Sequence, residues 1–480
     1  MNKYGKAQDL AKKIEEYLKE NKLYYGNEPR KNGDASWTLA LNNHPINLKQ
    51  QKYLSLKLPK LINLFHNGSL LLMKQALSPK ANKTLLKLRR YLTSGVPEET
   101  VRLWEKILEL DQEVFSTRPD IVIDQLGKFH IVEYNTDGGA DKGNTQGVND
   151  YSRIFLEEET LGENLVQLFI NEIKNRYGHK NKLVIATVLP NSYRSEYDAQ
   201  NIYFADQASI KGKYHNIKWI TVHLSEIAIN DKNITVSIEG ETYILDIIDR
   251  EFKLPGFASD IDFTKEYLLL KAVFEGKADM LGSILPFQDK ILLSTLFNDT
   301  YSFAYPQEYI QVLRSVHTET GVVDLENPYV NFGEEYYTLD DIYNLKPDFN
   351  FVLKRAGDTL GSTGSKGLVI SNDVSLDVWK MELERAIKEP ELGGSYWIIQ
   401  KFYQSDKFPI KHIKNSRSKP KELQVINRFA PYFVRSKNNF QLGNILVTAG
   451  TDEETYKRGK NNIHGLRQNT YLAVSIKDEA

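Results

Sequence analysis

The chain has 480 residues, 62 Lys+Arg against 63 Asp+Glu, and no cysteine. A net charge of −1 gives no footing for nucleic acid or an anionic membrane as the main partner. The missing cysteine excludes disulfides, thiolate metal sites and a cysteine nucleophile.

The opening residues Met1-Asn-Lys-Tyr-Gly-Lys6 run into a charged helical pattern without the apolar core of a signal peptide, and no apolar run approaches the roughly 20 residues of a membrane span. The expectation is a soluble, cytoplasmic protein. Up to about residue 115 the apolar positions recur at helix spacing: Leu10, Ile14 and Leu18; Leu61, Leu64 and Phe65; Val101, Trp104 and Leu108. Near 116 the period falls to two. Strand-like Pro119–Asp124 and Phe129–Asn135 flank the turn Gln125-Leu-Gly-Lys128, and a glycine-bearing stretch and a helix near 152–176 follow. From about 181, strands at Leu183–Val188, Trp219–His223 and Tyr243–Asp249 alternate with helices, which suggests a small, partly parallel α/β layer.

A four-residue loop at 125–128 makes paired residue numbers sum to about 253, setting Arg118 opposite Asn135 and Asp120 opposite Glu133. Alternation along the strands then brings Arg118, Asp120, Glu133 and Asn135 to one face. Two carboxylates and an amide are hard oxygen ligands suited to Mg²⁺, and an adjacent arginine suits a carboxylate or an oxyanion. A solvated face with an Asp–Arg ion pair satisfies the same pattern. Farther on, Lys354 ends a strand before a loop with glycines at 357, 361, 364 and 367. Such a loop lets backbone N–H groups, those of Gly361, Ser362 and Gly364 among them, wrap phosphate oxygens, with Lys354 as a point charge. It is neither a Walker loop nor a Gly-x-Gly-x-x-Gly fingerprint. The apolar strand Tyr396-Trp-Ile-Ile-Gln400-Lys-Phe402 can flank an adenine, and Lys290 stands at a helix start. No zinc motif or serine-hydrolase elbow is found. The basic stretch 411–421 reads as an exposed loop, or as a device that steers an acidic substrate; Arg428 and Arg435 suit either phosphate contacts or ion pairs at the core edge.

In this order, Arg118-Pro-Asp120, Glu133-Tyr-Asn135-Thr-Asp137, Asp249-Arg-Glu-Phe252, Lys290, Lys354 and Gln400 resemble the ATP-grasp ligases. The hairpin precedes the glycine-rich loop, which matches the circularly permuted branch that includes the glutathionylspermidine synthetase domain. The loop after Asp137 departs from that branch, with Gly138-Gly-Ala140 where it usually has a Thr-Pro step.

The resemblance implies an α/β (α+β) protein with a circularly permuted ATP-grasp fold, a small Rossmann-like layer and an N-terminal helical region. Its expected parts are an N-terminal helical region (1–115), the permuted metal-binding part (116–165), the small α/β domain (166–275) and the nucleotide-binding lobes (276–480). It further implies a carboxylate–amine ligase that uses ATP and Mg²⁺, with the metal on Asp120, Glu133 and Asn135. Nucleotide would lie on Lys290, Lys354, Gly361, Ser362, Gly364, Gln400 and Phe402, and the substrate carboxylate on Arg118. The partners would be a small-molecule or peptide carboxylate and an amine. A nucleotide-binding scaffold without turnover and an ATP-dependent phosphotransferase are the alternatives.

Overall fold

A computed structural model describes residues 5–21, 23, 38–108, 113–137, 141–191, 198–251, 260–326, 329–332, 335–344, 350–357, 367–450 and 470–476. In chain order, helix α1 (Gly5–Glu20) and strand β1 (Thr38–Ala40) lead to helices α2 (Leu58–Ala76), α3 (Lys83–Thr93) and α4 (Glu98–Ile107). Then come the hairpin β2 (Ser116–Ile123) and β3 (Phe129–Thr136) and helix α5 (Lys142–Tyr151). The small layer is α6 (Leu165–Tyr177), β4 (Leu183–Leu189), α7 (Asp198–Gly212), β5 (Ile217–His223), β6 (Ile247–Arg250), α8 (Asp260–Phe274) and β7 (Asp279–Leu281). It is followed by α9 (Ile291–Thr295), α10 (Gln307–Val316), β8 (Thr320–Val323), β9 (Phe351–Arg355), β10 (Leu368–Ile370), α11 (Leu376–Lys388) and β11 (Trp397–Lys401). The chain closes with β12 (Lys407–Ile413), β13 (Lys421–Ser436), β14 (Asn439–Ala449) and β15 (Thr470–Leu472).

Three sheets carry the architecture. The largest has the order β12-β1-β15-β14-β13-β2-β3, so a strand of the helical N-terminal region lies between two strands from beyond residue 400. That strand, and the pairing of His44–Ile46 with Val474–Ile476, tie an opening region expected to be mostly helical to the last strands of the chain. Strands of three residues are too short to show a period. The second sheet, β7-β6-β4-β5, is parallel throughout, as alternation of strand and helix requires. All seven residues of β4 are buried because both faces are covered. The stretch read as one strand at Tyr243–Asp249 is two: Glu241–Ile244 joins a small antiparallel meander, and β6 begins at Ile247. The helix expected near 152–176 is likewise broken between Leu156 and Leu165. The third sheet has the order β8-β11-β9-β10, with Leu353, Trp379 and Trp397 in its core.

Helix α2 packs Leu61, Ile62, Phe65, Leu72 and Met73 into the main core at the spacing its sequence displays. Helix α1 reaches across the molecule: Glu15 accepts hydrogen bonds from Ser416 N at 3.2 Å and Ser416 Oγ at 2.6 Å, so the basic stretch 411–421 forms a strapped hairpin tip between β12 and β13. No helix among the described residues is long and apolar enough to cross a membrane.

Asp137, at the end of β3, ties three segments together. Its Oδ1 accepts from Phe115 N (2.7 Å) and Ser116 N (2.9 Å), and its Oδ2 from Ser283 N (2.9 Å). Burial raises its carboxyl to about 6, against these bonds and Arg250. Gly282, at φ +87°, is required beside it, because a Cβ there would lie 2.1 Å from Asp137 Cγ. Asp137→Ala leaves three buried N–H groups unpaired and should lower the denaturant midpoint by an amount equivalent to about 3 kcal/mol, read by urea unfolding.

Candidate functional site

The hairpin turn is one residue shorter than the spacing suggests. Asp124 N donates to Lys128 O at 3.0 Å, Gly127 takes the left-handed φ of +74°, and Ile123, not Asp124, faces Phe129. A three-residue loop closed by a left-handed glycine is a common hairpin connection. Near the turn the pairs therefore sum to 252, as in Ile121–Ile131. A bulge between Asp120 and Ile121 in the pairing then inserts Val132 as an extra residue, and the sum returns to 253 at Asp120–Glu133 and Arg118–Asn135. The expected facing pairs are thus present, reached through two compensating irregularities.

Around this face the sheets bring four cations to two carboxylates. Asp120 is 1% exposed; its Oδ2 accepts from Arg428 Nη1 at 2.8 Å and its Oδ1 lies 3.4 Å from Arg118 Nε. Lys290, capping α9, has its Nζ 3.8 Å from Glu133 Oε2. Lys354 of β9 is 7% exposed and donates to the Val132 carbonyl at 3.4 Å, and Gln400 of β11 donates to the same carbonyl at 3.2 Å and to Thr320 Oγ1 at 2.8 Å. Burial raises the Asp120 carboxyl above its ordinary range, against Arg428 and Arg118 and with help from Glu133. Burial likewise lowers Lys354 from 10.5 to about 8; Glu133 opposes this, and Lys290 and Arg428 add to it.

The cleft beside these residues encloses about 740 Å³ of empty space, mouth included. One end is polar, with Asp120, Glu133, Lys354 and Arg428. The other is apolar, walled by Val122, Val352, Leu368, Ile370, Phe402 and Ile426. Gln400 and Phe402 both line it, with the Phe402 N–H already bonded to Asn350 O at 2.8 Å. Gly361, Ser362 and Gly364 lie outside the described residues; Gly357, at the loop's start, donates its N–H to Asp289 Oδ1 at 3.1 Å.

Arg118 is held from two sides. Although burial disfavours its charge, Asp120 and Asp141, the latter 3.1 Å from Nη1, keep it above its ordinary value. Asn135 leans its amide nitrogen on the Arg118 carbonyl at 3.4 Å. Arg428 belongs to the cleft, whereas Arg435 is spent on Val114 O and Asn63 Oδ1 away from it. Sequence reasoning missed Asp141, Asn427 and the buried trio in which Lys142 pairs with Asp249 (2.5 Å) and Glu251 (2.9 Å), docking α5 on the small sheet. A lysine directly after a polar glycine loop was the available signal for that trio.

Among the described residues no three His, Asp or Glu side chains are grouped to hold a metal ion. Asp120, Glu133 and Asn135 nevertheless fit a hard cation in donor chemistry. The two acids face each other closely enough for Glu133 to raise Asp120, a repulsion that a divalent ion would relieve.

No protein-family model matches the chain, and no curated protein matches it in sequence. Among solved structures, a glutathione synthetase-like effector from Globodera pallida, in its apo form, matches over 98% of this chain and 97% of its own, with a TM-score of 0.58 and 11% identity. The fold is accordingly mixed α/β and similar to that of a glutathione synthetase-like protein.

Lys354 is held charged against its surroundings, and the sign of its effect on stability follows. With a folded value near 8 and an unfolded value near 10.5, its charge destabilises the fold fully below pH 8, and that cost disappears as pH rises toward 10.5. Lys354→Met should therefore raise the melting midpoint at pH 7 by about 2 °C, with the gap between the two proteins closing toward pH 10; melting curves across that range read it.

Proposed function

We propose that this chain is an ATP- and Mg²⁺-dependent carboxylate–amine ligase of the ATP-grasp type. The observation that carries the reading is the convergence of Arg118, Lys290, Lys354 and Arg428 on Asp120 and Glu133 beside an apolar pocket. That surplus of positive charge suits a polyphosphate, and the apolar end suits a base. The order of the parts, hairpin ahead of the lysine strand, supports the permuted, glutathionylspermidine synthetase-like arrangement and the division of the chain at 116, 166 and 276.

In this reading Lys290 and Lys354 bind the phosphates. Val122, Val352 and Ile370 enclose the adenine and exclude water. Arg118 and Arg428 orient the substrate carboxylate, whose oxygen attacks the γ-phosphorus as ADP leaves. The amine nitrogen then attacks the acyl carbon of the acyl phosphate; phosphate departs with the C–O bond electrons, and the amine proton passes to solvent. The tetrahedral oxyanion between these steps lies against Arg118. Asp120, Glu133 and Asn135 would hold Mg²⁺, which supplies charge neutralisation to the phosphates when bound.

One observation favours a nucleotide-binding module without turnover: the Arg118 guanidinium is already engaged by Asp120 and Asp141 and is 4% exposed. Binding and turnover separate the readings. A non-hydrolysable ATP analogue with Mg²⁺, at about 100 times its dissociation constant, should stabilise the wild type by about 2.7 kcal/mol and leave Lys354→Ala unmoved. In a screen of carboxylates and amines, ADP release should require both substrates and fall at least about 10²-fold in Asp120→Asn. Analogue binding without ADP release in any pairing favours the module. A phosphorylated product without amine consumption identifies a phosphotransferase, and no thermal shift in the wild type removes the nucleotide reading.

A further inference from the structure

A second cavity lies behind the nucleotide cleft, with about 910 Å³ of empty space, mouth included. Its walls come from α3, from α9 and the turn 299–304, and from β8, the edge strand of the third sheet. The lining is mixed: Leu88, Val322, Val330 and the rings of Tyr91 and Tyr301 supply apolar and aromatic surface, and Thr84, Ser294, Asn298, Thr300 and Thr320 supply polar groups. Lys83 and Lys87, one turn apart on α3, supply its charge.

The neighbouring acids leave that charge in surplus. Asp324 is 7% exposed and accepts from Tyr91 Oη at 2.6 Å, with Lys87 Nζ at 3.2 Å and Arg90 Nη2 at 3.5 Å. Glu326 binds Arg90 through two contacts of 2.8 Å. Lys83 is exposed and forms no ion pair among the described residues. Lys83 and Lys87, the latter shared with Asp324, therefore bring positive charge to a cavity that also offers hydroxyls and aromatic and aliphatic surface, which is the chemistry of an organic anion with a planar or apolar body.

The walls are also the backs of the elements that shape the nucleotide cleft. Thr320, in the β8 wall, takes the hydrogen bond of Gln400 at 2.8 Å. Ser294, in the α9 wall, belongs to the helix that Lys290 caps. Tyr91 packs edge-on against Tyr396 at 4.7 Å, and the Tyr396 carbonyl accepts from Ala356 N at 2.9 Å, one residue before Gly357.

We propose that this cavity is a second ligand site, taking an organic phosphate or carboxylate with a planar or apolar body, and that its occupation tightens nucleotide binding in the cleft. Filling it braces β8 and α9, so Gln400 and Lys290 are held in place before the nucleotide arrives. The coupling half rests on the nucleotide reading above; the binding half does not.

Calorimetric titration of the full chain with phenyl phosphate tests the site, and a parallel titration with benzoate separates phosphate from carboxylate preference. Phenyl phosphate, benzoate or both should bind saturably to the wild type and to Lys354→Met, and at least about tenfold more weakly to Lys83→Glu and Lys87→Gln. Lys83 is exposed, so Lys83→Glu should melt with the wild type and report binding alone. Absence of saturable binding of both probes overturns the proposal. So does binding lost in Lys354→Met and kept in Lys83→Glu, which would put the probe in the nucleotide cleft. The bound probe should tighten the ATP analogue about fivefold or more in the wild type and not in Lys83→Glu. An unchanged analogue affinity overturns the coupling. Failure of the analogue to bind at all removes the nucleotide reading and the coupling that rests on it, while the probe titration still decides the cavity.

Discussion

The Val132 carbonyl accepts hydrogen bonds from two side chains of another sheet, Lys354 and Gln400, and the geometry of the cleft depends on that clasp. In an unbroken ladder, residue 132 would be matched within the hairpin; as the extra residue of a bulge it has no facing partner there. Its neighbour Glu133 is thereby set beside Lys354 and Lys290. The same bulge returns Asp120 to the register in which it faces Glu133. Removing the extra residue would move either the carboxylates or the clasp, because a one-residue slip turns every following side chain to the opposite face.

The clasp also explains why a protein of ordinary composition has a strained centre. Lys354 is bonded to a neutral carbonyl, and the carboxylates nearest it are shared with Arg118, Arg428 and Lys290. The result is an ammonium lowered to about 8 and an Asp120 carboxyl raised above its ordinary range within one cleft. Neither shift helps the empty fold. On the proposed reading, a polyanion that meets the cations together with a divalent ion that meets the acids would relieve both.

Much of this was legible because strand alternation is strict. From Arg118-Pro-Asp120 and Glu133-Tyr-Asn135 alone, one face could be assigned, and the structure places all four side chains there. The bulge was not legible, since a turn shorter by one residue and an insertion of one residue cancel at the site. Gly127 in the left-handed region was the sole local sign of the shorter turn. Arg428 was left open between cleft and core edge because its partner lies 308 residues away, and nothing near it states that Phe429 pairs with Ile121. For the same reason β1 escaped notice: three residues acquire strand character only from β12 and β15 on either side.

These long separations bear on how the site forms. Asp120 and Glu133 come from a local hairpin, but Lys290, Lys354 and Arg428 come from three later segments, each brought in by its own sheet or helix. The hairpin holds Arg118 beside its two acids, but the other three cations reach the cleft only once the hairpin has joined β13 and the third sheet has closed over Val132. Closure over long loops carries an entropic cost, and the charged contacts of the cleft require that closure. A ligand that neutralises those contacts stabilises the assembled state and has nothing to bind before it. On the proposed reading, nucleotide affinity and stability of the closed form are therefore one quantity measured from two sides, with Lys354 as the residue through which each reads the other.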